Sequence, residues 1–407
     1  MINKLKYFFN KDDHNYCEGL VDPFEFHKIF YKTLIEFNVG DIENKYVVKG
    51  LILTTGLIAS VLALISMCHG FDMLDIAFIT EAGSYFIVVT YQVFVLSCTE
   101  LNLPQYRNLL AAMKNDFYYI CTEGTKYRQK YFKNQVMTWK ICVSTCIFLG
   151  FISIAIISFI SITLVYFLVT REPDDQEPRP LLFPFWLPNV DFGRTPYYEL
   201  TFVFAGSCVL CNSFTIAFMM QTQIVWIRHI MSKTDIIVWN IEDLLHGIYT
   251  PTNAIERRHF STLIITRMTK IVHSASDFED IRGLDSGLTP MIFRSCFRKL
   301  CKFHEGEFPA ILILLCTGTI FVFFIPCYMC TILANKVSSI SDACYNIQFW
   351  IAGPVVRPFV VLIMQRAQRS VSLQAPGCEP ISLETFSKKM SSAYSLFNMS
   401  KQINMNK

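Results

Sequence analysis

The sequence predicts an all-α polytopic membrane protein, and three observations predict it. The chain is apolar: 52% of its 407 residues are hydrophobic, 36 are phenylalanine and 17% are charged, against about 25% charged in ordinary soluble domains. Several stretches exceed the roughly 18 uncharged, apolar residues that mark a bilayer-crossing helix. Lysine and arginine alternate between the segments joining those stretches, as they do where basic residues are retained on one side of a membrane.

The spans follow in order. Residues 50–68 carry no charge, nor do residues 82–99, although Asp75 and Glu81 lie just before the latter. Residues 141–170, 200–227 and 308–335 are uncharged over 30, 28 and 28 positions. A softer segment, 343–365, is interrupted by Arg357, Pro354 and Pro358. An arginine facing lipid is costly, so this segment is expected to stay in water and pack with its neighbours. No secretory leader is read in the first twenty residues, and the first true span is expected to insert the chain.

Orientation comes from the basic residues. Residues 1–49 hold seven, a tight turn at 69–73 none, the 100–140 loop seven, the 171–199 loop three against six acids, and the 228–307 loop eleven. The amino terminus and the loops 100–140 and 228–307 are therefore expected inside, and loop 171–199 outside. A G-protein-coupled receptor needs the opposite sense, and its Asp-Arg-Tyr and Asn-Pro-x-x-Tyr signatures are missing from the sequence.

Enzymatic and metal chemistry find no support. The pairs Cys208-x-x-Cys211 and Cys327-x-x-Cys330 lie inside apolar runs without a histidine partner at zinc spacing, and polarizable core residues explain them better. His304-Glu-Gly-Glu307 lacks the second histidine of a metalloprotease helix. No phosphate loop or nucleophile elbow occurs. No cofactor, metal or nucleic-acid partner is expected.

The segment 380–400, "PISLETFSKKMSSAYSLFNMS", is the unusual one. On a helix, Leu383, Phe386, Met390, Ala393, Tyr394 and Phe397 share an arc of about 100°. Thr385, Lys388, Lys389, Ser392 and Ser395 share the other side. Such a helix either lies on a membrane surface or lines a watery path within an oligomer, and the pattern leaves both open. Asp75 and Glu81 are read likewise as interfacial carboxylates or as a polar contact in an outward-facing cavity.

The tail "YNIQFW" (345–350), "IMQRAQRSVSLQAPG" (363–377), "ISLETFSKKM" (381–390) and "AYSLF" (393–397) resembles the carboxy-terminal signature of the insect odorant receptors. The loop "RPLLFPFWLPNVDFGRTPYYELTFV" (179–203) and the stretch "HFSTLIITRMTKIVHSASDFEDI" (259–281) resemble that family as well. The gustatory receptors end differently, and a secondary transporter should show inverted repeats, which are not seen. A gustatory-type channel and a transporter are the alternative readings, with a pore-less metabotropic receptor behind them.

What the resemblance implies is a seven-span bundle. Its parts here are a cytoplasmic segment 1–49, four spans within 50–228, a cytoplasmic helical region 229–307, a sixth span 308–335, an anchor helix 342–370, a pore helix 381–400 and a tail 401–407. Such a chain is an odour-tuned subunit that joins an odorant co-receptor in a tetrameric, ligand-gated, non-selective cation channel of the plasma membrane, in sensory dendrites. Thr385, Ser392, Ser395, Phe397 and Ser400 would line the pore, Phe397 at its gate and Ser400 at its mouth. Tyr345, Trp350, Arg357 and Arg366 would serve the anchor between subunits. A small volatile ligand would meet Phe78, Glu81, Tyr85, Phe159, Ser161, Ile162, Phe202, Phe204, Leu315 and Thr319. One departure stands out: where the family has a fifth span, residues 282–307 carry Arg294, Arg298, Lys299 and Lys302 and do not read as one. Without that span, parity would reverse the sense of the last helices.

Overall fold

The structure is a computed structural model that describes residues 19–28, 31, 45–74, 76–122, 125–170, 181, 183, 185–188, 190–243, 310–346, 357–368 and 380–405. Trp350 and residues 244–307 of the expected 229–307 cytoplasmic region, including 282–307, lie outside the described residues, while residues 229–242 continue the long helix Tyr197–Glu242. Nine α-helices are described: α1 (Pro23–Phe26), α2 (Lys45–Asp72), α3 (Ile76–Leu101), α4 (Leu103–Thr122), α5 (Arg128–Thr170), α6 (Tyr197–Glu242), α7 (Ala310–Asn346), α8 (Arg357–Ala367) and α9 (Leu383–Met405). Among the described residues the only extended pairing is one isolated bridge, Leu187 to Val190.

Among the described residues four helices are long and apolar enough to cross a membrane, or five if the bent pair α3–α4 counts as one span. They overrun the uncharged stretches. Helix α5 has 43 residues and α6 has 46, so each is about 65 Å long or more at 1.5 Å per residue, where a bilayer core needs about 30 Å. The surplus forms a second, polar storey at the end opposite the 171–199 loop.

That storey accounts for the largest difference from the sequence reading. Residues 100–140, expected as a loop, are helical almost throughout, as α4 and the start of α5. Leu110, Met113, Phe117, Ile120 and Cys121 repeat at helical spacing and are buried. The charges Arg107, Lys114 and Asp116 masked this amphipathic pattern. At Asn102 the chain bends by 68° between α3 and α4, and the Asn102 side-chain amide donates to the Cys98 carbonyl at 2.9 Å. Likewise the expected 69–73 turn starts later, because α2 continues to Asp72 and Leu74 turns the chain with φ 52°.

Helices α2 and α3 form a tight hairpin for a reason visible in α2. Gly56, Ala59, Ala63, Ser66 and Gly70 recur every three or four residues on one face, and small residues let helix backbones approach in lipid. Ala59 and Ser66 have no exposed surface. A Cβ on Gly56 would come within 2.9 Å of Val93, and one on Gly70 within 2.9 Å of Ile79. At the polar end of this hairpin Lys49 pairs with Glu100.

Helix α6 is the axis. It packs against α2, α3, α5 and α7 and contributes to all three apolar cores. The first joins Phe26 of α1 and Phe117 of α4 to Phe132 of α5 and Ile224 of α6. The second joins Ile227 and Ile237 to Leu333 and Cys344 of α7 and Val360 of α8. The third, at the loop end, joins Ala59, Val89, Ala205 and Cys208 to Phe183 and Phe185 of the loop. Pro326 sits inside α7 and removes one N–H from its hydrogen-bond ladder.

The small-residue face gives a direct test. Gly56→Val should lower stability by about 1–3 kcal/mol through overpacking, read as a drop in melting temperature of the purified chain in detergent. Gly50→Val, where an added Cβ meets nothing within 4 Å, should melt close to the parent.

Candidate functional site

At the loop end, aromatic side chains from three helices meet the loop between α5 and α6. The Trp186 backbone N–H donates to Ser66 Oγ at 2.8 Å. Its indole lies flat on the His69 imidazole, with centroids 3.6 Å apart and planes 3° from parallel. Phe78 of α3 meets the same imidazole edge-on at 6.3 Å. Deeper in, Phe183 packs edge-on against Tyr85 at 4.5 Å, and Phe185 lies between Phe183 and Phe204 at 5.4 and 6.3 Å. Apolar rings close in this way because burying a ring removes 150–250 Å² from water and offset or edge contacts suit its quadrupole.

This arrangement gathers some of the ligand residues expected from the sequence. Phe78, Tyr85 and Phe204 belong to the aromatic group. Phe202 lies one turn along α6 from Tyr198, their rings 6.2 Å apart. Phe159 and Ser161 stand near the far end of α5, where Ser161 Oγ donates to the Ile157 carbonyl at 2.8 Å. Ile162 is 67% exposed and faces out of the single chain. Thr319 is half-buried on α7, while the side chains of Glu81 and Leu315 lie outside the described ones. The residues missed by the sequence reading are Ser66, His69, Phe183, Phe185 and Trp186. Their signal was the run of Phe, Trp and Pro within an otherwise acidic loop.

The hydroxyl-rich helix is α9. Ser382 caps it: its Oγ accepts the Thr385 N–H at 3.2 Å, and the Phe386 N–H bonds to the Ser382 carbonyl at 3.0 Å. The Thr385 hydroxyl donates to the Pro380 carbonyl at 2.7 Å, so it also serves the helix start. One face docks on α7. The Leu383 N–H donates to Thr331 Oγ1 at 3.0 Å, Phe386 meets Phe324 edge-on at 5.7 Å, and Ala393 is buried. The other face, with Ser392 and Ser395, is exposed. Their hydroxyls donate to carbonyls four residues back, at 2.9 and 3.0 Å. Tyr394, expected to pack against neighbouring helices, is 60% exposed. The side chains of Phe397 and Ser400 lie outside the described ones.

Before α9 in the chain comes α8, which also packs on α7 and which Arg357 opens with Pro358 behind it, as proline's fixed φ suits a first turn. Arg357 and Arg366 are both exposed. Tyr345, expected on the same anchor helix, instead lies in the last turn of α7 and is 62% exposed.

The polar storey is knitted by buried hydrogen bonds. Asp116 Oδ2 of α4 accepts from His229 Nε2 at 2.8 Å and Lys233 Nζ at 2.9 Å, both on α6. His27 bonds to Gln135 at 3.1 Å, Asn134 donates to Asp235 at 2.8 Å, and Lys336 of α7 pairs with Asp235. Helix α4 lies beyond the apolar stretch of α3, outside the span. There, burial pushes the Asp116 carboxyl up, but the hydrogen bonds and charges of His229 and Lys233 outweigh it and hold the carboxyl below its ordinary range. Cys327 and Cys330 are both buried, and no metal-binding group of His, Cys, Asp and Glu occurs among the described residues.

Comparisons with known proteins follow this geometry. Residues 303–394 match the family model of the 7tm odorant receptors. The insect olfactory receptor OR5 from Machilis hrabei superposes with a TM-score of 0.72 at 15% identity, over 93% of this chain and 98% of that chain. Its complex with eugenol superposes with a TM-score of 0.71 at the same identity and coverage. A comparison with curated protein sequences gave no match. By fold the chain is thus a multi-pass helical membrane protein. More narrowly, its fold is that of an insect olfactory receptor, and residues 303–394 carry the odorant receptor family's pattern, as the tail motifs indicate.

The Asp116 cluster yields a prediction. Asp116→Asn removes a carboxylate charge from beside the buried His229 and Lys233 and should cost about 3 kcal/mol, read as a lower melting temperature. A carboxyl lowered in the native state contributes stability that is complete above its ordinary pKa and is lost as pH falls towards the native value. The parent should therefore lose stability on acidification through that range, and Asp116→Asn should lose less.

Proposed function

We propose that this chain is the odour-binding subunit of a ligand-gated, non-selective cation channel, working with an odorant co-receptor in a hetero-tetramer. The observation that carries the reading is the two-faced docking of α9. Its apolar side is fixed to α7 through Leu383 and Phe386, and its hydroxyl side, Ser392 and Ser395, is left uncovered in the single chain. A face of that kind needs water or permeating ions, and neighbouring subunits can enclose them. Phe397 and Ser400 continue this helix towards a gate and an outer mouth. Thr385 marks its inner start, where its hydroxyl already serves the helix cap.

The anchor reading has a physical support of its own. Phe359 and Leu362 on α8 are 47% and 62% exposed, and Tyr345 is 62% exposed. Large apolar side chains at a polar end favour contact with another subunit, with Arg357 and Arg366 at its margin and Trp350 beside them in sequence. In this reading the amino terminus and the polar storey are cytoplasmic, the 171–199 loop is extracellular, and the membrane is the plasma membrane of a sensory dendrite.

The ligand is a small hydrophobic volatile. The loop-end rings offer burial and shape, worth about 25 cal/mol per Å² of apolar surface, with few directional bonds. Phe78, Tyr85 and Phe204 are its first contacts, and Glu81, Phe159, Ser161, Ile162, Phe202, Leu315 and Thr319 belong to the surrounding helices. The published complex of a protein with this fold holds eugenol, a small molecule of the same broad class.

The test is electrical. Expressed with the co-receptor, the chain should give odorant-evoked inward current that vanishes when either subunit is omitted. In Ser395→Cys, a cationic thiol reagent applied during odorant should block most of that current. Full current after confirmed modification would remove α9 from the conduction path.

A further inference from the structure

The loop-end aromatic group has an unusual origin. Two of its most enclosed rings, Phe183 and Phe185, come from the loop and not from the helices, and each is 7% exposed. They sit between Tyr85 of α3 and Phe204 of α6, where the expected ligand contacts converge. The stretch that carries them, Leu181 to Leu187, is a short apolar run with acidic residues on both sides in sequence. Apolar ring contacts hold it, and a backbone hydrogen bond from Trp186 to Ser66 and the flat stack of Trp186 on His69 pin its end. Contacts of this kind can be replaced by a guest of similar shape with little net loss, because both occupants bury comparable apolar area.

We infer that Phe183 and Phe185 form a removable wedge, latched by Trp186 on His69 and Ser66, whose place between Tyr85 and Phe204 is taken by a small ligand with a flat, unsaturated face. The inference rests on the odorant-receptor reading for its ligand, and not for the latch. Trp186 and His69 are then specificity-determining residues that touch ligand only on its way in. Phe183 and Phe185 set which shapes can replace them. A flat aromatic or conjugated ligand can repeat the edge-on contact of Phe183 with Tyr85, while a bulky saturated one cannot.

The experiment separates latch from ligand. In the full-length chain, reconstituted in lipid nanodiscs, Phe183→Cys is labelled with a small neutral thiol reagent and followed by peptide mass spectrometry. Labelling should be slow with the latch intact and roughly tenfold faster when Trp186→Ala or His69→Ala is added, as expected of a locally opened segment. Trp186→Phe, which keeps a ring on His69, should restore most of the protection. An unchanged labelling rate in both alanine variants, with melting temperatures close to the parent, would overturn the latch. The second arm measures odorant-evoked current for Phe183→Ala beside the parent, using benzaldehyde, 2-phenylethanol, hexyl acetate and dodecyl acetate. The rank order should move from the aromatic probes towards the long ester. The same order in both proteins would overturn the wedge as a determinant of ligand choice. If the parent carries no current with any odorant, the receptor reading fails, and the labelling contrast still decides the latch.

Discussion

The structure depends on the burial of one helix. Helix α6 is roughly twice as long as a bilayer is thick, and from Met220 to Ile237 nearly every side chain is buried. A helix buried on all sides must either be apolar all round or satisfy each polar group it carries. This one does both. In its first half it presents Ala205 and Cys208 to the loop-end core. In its second half Thr222, Ser232 and Thr234 return their hydroxyls to carbonyls four residues back, and His229 and Lys233 converge on Asp116. The other helices take their places around it. Removing a single satisfied polar partner from the lower half leaves a charge where water cannot reach, a much larger penalty than losing one surface ion pair.

Two storeys with different solvents explain why the sequence was legible in one and opaque in the other. Lipid imposes a simple condition, a long stretch without charge, so the uncharged runs at 141–170 and 200–227 mark α5 and α6 directly. The polar storey imposes a weaker one. Helix α4 needs only Leu110, Met113, Phe117 and Ile120 on its inner face, and its Arg107, Lys114 and Asp116 make the same residues look like a connecting loop. Helical period is present there, but the interleaved charges obscure it. The loop-end site was opaque for another reason. Its contacts join residues more than a hundred positions apart, such as Ser66 and Trp186, and no local pattern encodes such a pairing.

Helix α9 lies between these cases. Its amphipathic period placed Leu383, Phe386 and Ala393 on the packed side and Ser392 and Ser395 on the open one, and the described side chains follow that division. Tyr394 does not, because a wheel gives each residue an angle but not the width of the neighbour it meets. Helix α7 covers only part of the apolar arc, and Tyr394 falls beyond its edge. An apolar ring left there adds to the exposed surface that Tyr345, Phe359 and Leu362 create at the other end of the same helical group. Thr385 shows the converse: its hydroxyl lies on the polar side of the wheel and is nonetheless spent on the helix cap.

The route by which a ligand could act on α9 is short and made of direct contacts. One residue before Thr319, Gly318 of α7 lies against Ile152 of α5, 3.5 Å from where a Cβ would stand. One turn on, Phe321 meets Phe148 of α5 at 4.1 Å. A further turn brings Phe324 against Phe386 of α9 at 5.7 Å, and Thr331 then holds the Leu383 N–H. These positions are spaced so that one stripe of α7 passes from α5 to α9. Pro326 lies in sequence between these two holds on α9 and leaves the Val322 carbonyl without its helical donor, which makes α7 easiest to bend there. A displacement of α7 against α5 is therefore delivered at Phe386 and Leu383, the start of the hydroxyl helix. A ligand can shift that equilibrium only by as much as it prefers one arrangement over the other, and under the proposed wedge the arrangement it must disfavour is the one with Phe183 and Phe185 between Tyr85 and Phe204.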